Sequence, residues 1–197
     1  MKIPGSYALP VAGFLLIPLV FAFSDPLQDG IALHNKAYGD RRYVAAAQQE
    51  LKKLADTYPL AKAYYGNAVS MEAQELSKKN IFKALVLLNN GIRILDEAVR
   101  EDPDNKTIRM LRLLNSSVVD ENSPVNRRKA LGEDVAWFNA VRPAMNDTSQ
   151  ALICLHEGKY WLREKNKANA RAAFNRCISL SPNSYIGDSA REYIRKL

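Results

Sequence analysis

The chain has 197 residues, of which 47% are hydrophobic and 25% are charged. This composition excludes the intrinsically disordered class, and the length is sufficient for one domain with a real hydrophobic core. Runs of β-branched residues are almost limited to Val118 and Val119, so the sequence predicts helices and little strand.

The first 24 residues differ from the rest of the chain, because Lys2 is their only charged residue. The uncharged apolar run Val11–Phe23 is typical of a secretory signal peptide, which we expect to be cleaved after residue 24. Two alternatives stay open, namely an uncleaved membrane anchor formed by residues 7–23 and a coincidental apolar tail. After cleavage, residues 25–197 would form an exported domain, periplasmic or secreted, with membrane contact at most through the N-terminal segment.

The net charge of the chain is +7, from 28 Lys and Arg against 21 Asp and Glu, and it is +6 once Lys2 is removed. A basic surface can bind nucleic acid by releasing counterions from phosphate, but an exported protein rarely meets nucleic acid. We therefore expect no nucleic-acid partner. Most of the charge, such as Lys78 and Lys79, is interpreted as solvated helix surface.

Four prolines divide the chain at nearly regular intervals. Pro59, Pro103, Pro143 and Pro182 each follow an amphipathic helical pattern, and they are separated by 44, 40 and 39 residues. Proline cannot continue a helix, and a repeat period of about 20–50 residues indicates a solenoid. The sequence therefore predicts about four helical hairpins that stack on one another.

The first hairpin is predicted between residues 26 and 59, with its turn near Gly39. The second begins with a helix over residues 60–77. After a break near Asn80, it continues with a helix whose apolar residues recur every three or four positions over Phe82–Val99. Because these apolar residues cover more than one narrow stripe, we expect this helix to be the most buried of the chain.

The third hairpin is predicted to begin with a short helix that carries Ile108. Residues 115–122 are polar and predict a loop. Ser123 followed by Pro124 predicts the next helix start, with serine as the cap and proline in the first turn. After the fourth hairpin, Ser184 can cap a last helix that covers the exposed end of the stack.

The fourth hairpin, residues 151–182, has the most informative pattern. Small and aromatic residues alternate along it at helical spacing, namely Cys154, Gly158, Trp161, Ala170, Phe174, Cys177 and Pro182. The glycine and the alanine would let two helices approach closely, while the two aromatic rings fill the space beside them. This order resembles a tetratricopeptide repeat (TPR). The resemblance implies an all-α, TPR-like solenoid that binds a peptide or a partner protein in a concave groove.

No catalytic or metal-binding arrangement stands out in the sequence. His34 and His156 are the two histidines, and neither has a second histidine or cysteine at metal-ligand spacing on its helix face. The sequence also contains no glycine-rich phosphate loop, no GxSxG elbow and no HExxH motif. We therefore predict that the protein is not an enzyme and uses no metal and no cofactor.

The predicted function is a non-catalytic protein-binding scaffold of the cell envelope or secreted space. The alternative is a structural subunit of an envelope complex that assembles through its ends or its convex face. The groove should be lined by residues of the first helix of each hairpin, namely Lys36, Asn67, Arg109, Arg112, Leu155, Lys159, Leu162 and Arg163. The cations favour an acidic peptide or a free C-terminal carboxylate, with the leucines as an apolar anchor. Equally, they could be solvated rim charges. The oligomeric state is undetermined.

Cys154 and Cys177 are equidistant from a predicted turn between Lys165 and Asn166. They should therefore lie at the same height on facing antiparallel helices. An oxidising compartment would allow a disulfide between them. The alternative is a pair of small buried thiols in alanine-like positions.

Overall fold

The structure is a computed structural model that describes residues 25–197, so the predicted signal peptide or anchor lies outside the described residues. The described range is all-α, with nine α-helices and two short 3-10 turns, Arg41–Tyr43 and Arg142–Ala144. The helices are α1 (Pro26–Gly39), α2 (Val44–Leu54), α3 (Pro59–Ser77), α4 (Ile81–Glu101), α5 (Lys106–Asn122), α6 (Arg128–Val141), α7 (Asp147–Arg163), α8 (Lys167–Leu180) and α9 (Tyr185–Arg195).

The helices pack in the order in which they occur in the chain. Each one contacts the next and runs antiparallel to it. Alternate helices also touch, because α1 contacts α3, α3 contacts α5, α5 contacts α7 and α7 contacts α9. The odd-numbered helices therefore lie side by side. None of the nine described helices combines the length and the apolar character that crossing a bilayer requires.

Short polar side chains begin several helices by accepting an otherwise unpaired backbone N–H. These caps are Asp25 for α1, Asn80 for α4, Asn105 for α5, Asn146 for α7, Asn166 for α8 and Ser184 for α9. The prediction that Ser184 caps the last helix is therefore confirmed. Pro59 is the first residue of α3, where its missing N–H costs nothing.

The α3–α4 hairpin is held by a direct approach of two backbones. A Cβ atom on Gly66 would lie 2.8 Å from the carbonyl oxygen of Gly91. A Cβ on Gly91 would lie 2.7 Å from the carbonyl oxygen of Gly66 and 2.6 Å from Oγ of Ser70. Real Cβ atoms do not come that close, so these two positions require glycine if the helices are to keep this separation.

The fourth hairpin is confirmed in detail as the pair α7 and α8. Phe174 is fully buried, and a Cβ on Gly158 would lie 2.3 Å from its Cε1 atom, so the glycine makes room for the ring. The chain turns after α7 through Lys165, whose φ of 57° is left-handed. Helix α9 packs on this hairpin, and Tyr193 stacks on Phe174 with ring centroids 5.2 Å apart.

Two predictions about the third hairpin are wrong. Residues 115–122 are helical and form the second half of α5, because Ser116, Ser117 and Val119 are buried against neighbouring helices. Ser123 ends α5, since its Oγ donates to the carbonyl of Val119 at 2.8 Å, and the next helix starts only at Arg128. Burial of small polar residues has therefore outweighed their preference for loops.

The prediction that α4 is the most buried helix is also wrong. Its C-terminal half is buried, but Phe82 is 81% exposed and Val86 is 73% exposed. Helix α3 is buried along nearly its whole length, because α1, α2, α4 and α5 all contact it. The broad apolar surface of α4 is therefore divided: the C-terminal half packs in the core, and the N-terminal half keeps apolar side chains exposed.

Replacing Phe174 by alanine should lower the free energy of unfolding by about 3–5 kcal/mol, because the side chain is fully buried and would leave a cavity beside Gly158. The matched control is Tyr185→Ala on α9, since that ring is 84% exposed and its loss should cost less than about 0.5 kcal/mol. Urea unfolding followed by circular dichroism measures both. Equal midpoints for the two variants would contradict the packing described for α7 and α8.

Candidate functional site

A groove with a cavity volume of about 460 Å³ lies among α3, α4 and α5, with contributions from the end of α1 and from α7. We call it the α4–α5 groove. Its apolar wall includes Met71 of α3, Leu85 and Leu88 of α4, and Leu114 and Val118 of α5. A volume of this size is within the range of about 300–1,000 Å³ that is usual for ligand sites.

The groove exists because α4 and α5 pack together over only part of their length. The C-terminal half of α4 and the N-terminal half of α5 share a core cluster that contains Leu95, Val99 and Ile108. Apolar residues continue beyond this cluster on both helices, but there they line the groove, as Leu88 and Leu114 do. The same helical periodicity thus provides core in one half and an accessible apolar wall in the other.

Asn67 of α3 lines the groove and is held by a buried hydrogen-bond network. Its Oδ1 lies 3.1 Å from Nε2 of His34 and accepts from the hydroxyl of Tyr38 at 3.3 Å. Because an amide oxygen only accepts, Nε2 of His34 carries the hydrogen. Burial lowers the pKa of His34 below its usual value. This network of three side chains is therefore uncharged and preorganised.

Two other buried polar side chains of the groove have unused hydrogen-bonding capacity. Oδ1 of Asn115 and Nδ1 of His156 have no hydrogen-bond partner within residues 25–197, although the two residues are only 8% and 6% exposed. Burial lowers the pKa of His156 to about 3, with the charge of Lys159 acting in the same direction. The imidazole is therefore neutral at pH 7. A buried polar atom without a partner is costly, so these two side chains lower the stability of this part of the core.

The structure does not bring the predicted groove residues together. Asn67 lies in the α4–α5 groove, whereas Leu155 is buried in the core of the fourth hairpin. Lys36 is exposed on α1, with its Nζ 5.7 Å from the ring centroid of Tyr43. Lys159, Leu162 and Arg163 line a separate cavity of about 270 Å³ among α5, α6, α7 and α9.

Arg109 and Arg112 point to α6 and share one buried carboxylate. Arg112, 7% exposed, donates to Asp134 from Nε at 2.8 Å and from Nη2 at 2.7 Å. Arg109 donates to the same carboxylate from Nη1 at 3.0 Å, and its guanidinium stacks over Trp137. Burial raises the pKa of Asp134, and both arginines act against that rise. These two cations therefore hold α5 to α6.

The cations of α7 are also matched by acids. Lys159 donates to Glu121 at 3.1 Å, and Nε of Arg163 lies 3.5 Å from a carboxylate oxygen of Asp120. Tyr193 of α9 donates to Glu121 as well, at 2.6 Å. These contacts link α5, α7 and α9. The predicted cationic residues are thus mostly occupied by carboxylates of this chain.

Sequence reasoning misses most of the wall of the groove. Asn115 and Val118 fall in a segment that its polar residues predict to be a loop, so their alignment with Leu111 and Leu114 on one helix goes unnoticed. The signal that could reveal it is the spacing of three or four residues that runs from Leu111 through Val118 to Asn122. For His156, the sequence shows only that no second metal ligand is suitably spaced, and nothing in it indicates that this residue lines the groove.

Cys154 and Cys177 are both fully buried in the fourth hairpin, and both are free thiols. Arg142 donates to the sulfur of Cys154 at 3.3 Å and to Glu157 at 3.1 Å. Burial raises the pKa of Cys177 to about 12, and Cys154 contributes to that rise. The structure thus places the two cysteines as small buried side chains in one core cluster.

Stability should fall in mild acid because of His156. Its pKa is about 3 in the folded state and about 6.5 when unfolded, so the unfolded state binds more protons between these values. Unfolding free energy should therefore decrease by about 2 kcal/mol from about pH 7 to about pH 5 through this group alone. In the His156→Gln variant this share of the pH dependence should disappear. Urea titrations at both pH values test it, and parallel pH profiles for parent and variant would contradict it.

Removing Arg112 should destabilise the protein strongly, because Asp134 would keep only Arg109 as a partner. We expect Arg112→Met to cost about 3–5 kcal/mol of unfolding free energy. The control is Arg93→Met, which breaks an exposed ion pair with Glu97 and should cost less than about 1 kcal/mol. Both are measured by denaturant unfolding. If Arg112→Met were as stable as Arg93→Met, the structural role of Arg112 would be contradicted, and Arg112 in the parent protein could serve binding instead.

The chain was compared with protein-family models, curated proteins and solved structures, and none of them matches it. The comparisons therefore assign neither a family nor a function.

Proposed function

We propose that the protein is a non-catalytic scaffold that binds a segment of a partner protein in the α4–α5 groove. The observation that carries this proposal is an accessible groove of about 460 Å³ whose wall is largely apolar, with the exposed polar side chains of Gln74 and Asn122 at its edge. Apolar contacts would supply most of the affinity, and these exposed polar side chains would fix the orientation of the ligand.

The architecture supports the same proposal. We infer a TPR-like solenoid, in which α1–α2, α3–α4, α5–α6 and α7–α8 are four stacked hairpins and α9 is the terminal cap. The supporting observation is the regular contact of each odd-numbered helix with the next odd-numbered one. In stacked helical hairpins such a row of helices lines a continuous concave surface that binds extended partners. Four of the odd-numbered helices contribute residues to the groove.

The partner segment is inferred to be apolar and largely uncharged. Arg41 is the one cationic side chain of the groove wall within the described range, and its Nε lies 3.8 Å from Glu75. Most of the cations that suggested an acidic ligand contact acids of this chain instead. An acidic peptide would therefore find little uncompensated positive charge in the groove, whereas an apolar segment would find a matching wall.

The proposal keeps the exported location inferred from the N-terminal sequence. Asp25, the first residue after the predicted cleavage, caps α1 by accepting the backbone N–H of Leu27 at 3.0 Å. Cleavage at that point would leave the cap and all nine described helices intact. The scaffold would then act in the periplasm or outside the cell, or beside a membrane if the N-terminal segment is retained.

Site-specific photocrosslinking in the native host tests the groove. A photoreactive phenylalanine analogue at position 118 should form an adduct with one discrete protein, because Val118 lines the groove and is 43% exposed. The same analogue at Tyr58, which is exposed outside the groove, should not form that adduct. Mass spectrometry of the adduct would identify the partner and the segment that is in contact.

A matched pair of second-site variants completes this test. Leu88→Arg would place a charge in the groove and should abolish the adduct, whereas Asn89→Arg, at an exposed position on the same helix outside the groove wall, should leave it unchanged. Circular dichroism should show that both variants are folded. If no specific adduct formed at position 118, or if the adduct persisted with Leu88→Arg, the groove would not be the binding site.

A further inference from the structure

The start of α4 carries two exposed apolar side chains that lie outside the groove wall. Phe82 is 81% exposed and Val86 is 73% exposed. They are four residues apart on α4 and are therefore neighbours on one face of the helix. Ile81, 50% exposed, lies beside them at the start of the helix and also lines the groove. Exposed large apolar side chains that cluster in this way indicate an interaction site.

The charged residues within and directly beside this patch in the sequence are lysines. Lys78, Lys79 and Lys83 are exposed in the turn and the first turn of α4. Between Glu75 and Asp96 the chain contains no acidic residue at all. Lys78 contacts Glu75 at 2.7 Å, whereas Lys79 and Lys83 form no ion pair within residues 25–197. We call residues 78–86 the α3–α4 tip.

Apolar side chains flanked by lysines are suited to an anionic membrane surface. An anionic lipid surface attracts lysines electrostatically, and its acyl boundary accepts a few inserted apolar side chains. A stable protein partner generally needs a contact of about 1,000 Å² or more, and a single helical turn with three large apolar side chains is a small surface for that. The charge and the size of the tip therefore favour a membrane surface.

We propose that the α3–α4 tip docks the protein on an anionic membrane surface, with Phe82 and Val86 inserted at the acyl boundary and Lys79 and Lys83 at the headgroups. The contact is peripheral, because only a few side chains of one helical turn enter the acyl boundary. It lies more than 50 residues away in sequence from the N-terminal segment, the part of the chain for which the sequence predicts membrane contact.

Fluorescence of a tryptophan introduced at position 82 tests insertion directly. The full chain carrying Phe82→Trp is mixed with phosphatidylglycerol–phosphatidylcholine vesicles that contain a brominated lipid as quencher. Residues 1–24 are present in every sample, so their own affinity for lipid does not distinguish the variants. The extra emission relative to the parent should shift to the blue and be quenched. The matched control is Tyr185→Trp, an equally exposed position on α9, where neither change should occur.

Charge reversal tests the role of the lysines. In the Phe82→Trp background, Lys79→Glu together with Lys83→Glu should raise the lipid concentration that gives half of the emission change by about tenfold or more. Vesicles of phosphatidylcholine alone should cause a similar rise for the protein without the charge reversals. The control is Lys106→Glu together with Lys129→Glu, which changes the net charge equally at exposed positions away from the tip.

Three results would overturn the proposal. One is that brominated lipid quenches the added emission of Phe82→Trp no more than it quenches the added emission of Tyr185→Trp. Another is an equal rise in that lipid concentration for both pairs of charge reversals, which would indicate only a general attraction of a basic protein to the vesicles. The third is a change in sedimentation caused by Phe82→Ser without lipid, which would assign the patch to contact with a second copy of the chain.

Discussion

The contact between Gly66 and Gly91 fixes α4 against α3, and the positions of both proposed surfaces depend on it. The two backbones approach so closely that a methyl group on either glycine would overlap the other helix. Buried interfaces respond to added atoms by separating or distorting, so this register is narrowly determined. With α4 held along α3, its C-terminal half meets α5, while its N-terminal half lines the groove and carries the tip.

Several cations of the chain link neighbouring helices by pairing with buried or half-buried carboxylates. Asp134 is bound by two arginines, Asp96 by Arg127 at 2.7 Å, and Glu157 is contacted from α8 and from the turn after α6. Such pairs compensate the cost of removing a charge from water only if both partners are present. They therefore act as specific links between neighbouring helices, and the remaining surface of the α4–α5 groove is almost neutral.

Local periodicity is sufficient to predict the helices of the fourth hairpin, the break near Asn80 and the cap at Ser184, because each depends on residues within a few positions of one another. The second half of α5 is not predictable in that way, since Ser116 and Ser117 are helical only because other helices bury them. The role of Arg112 depends on Asp134, which is 22 residues away on another helix. The groove depends on several such distant contacts, so its wall cannot be derived from spacing alone.

The two proposals meet at Ile81, which lines the groove and adjoins Phe82 at the tip. A tip seated in lipid would place this end of the groove beside the acyl chains, and an apolar segment could enter it from the bilayer. Transfer from lipid to an apolar groove gains little hydrophobic free energy, because the segment was already out of water. Affinity would then depend on hydrogen bonds that lipid does not offer, and the exposed polar side chains of the groove wall, Gln74 and Asn122, are suited to provide them.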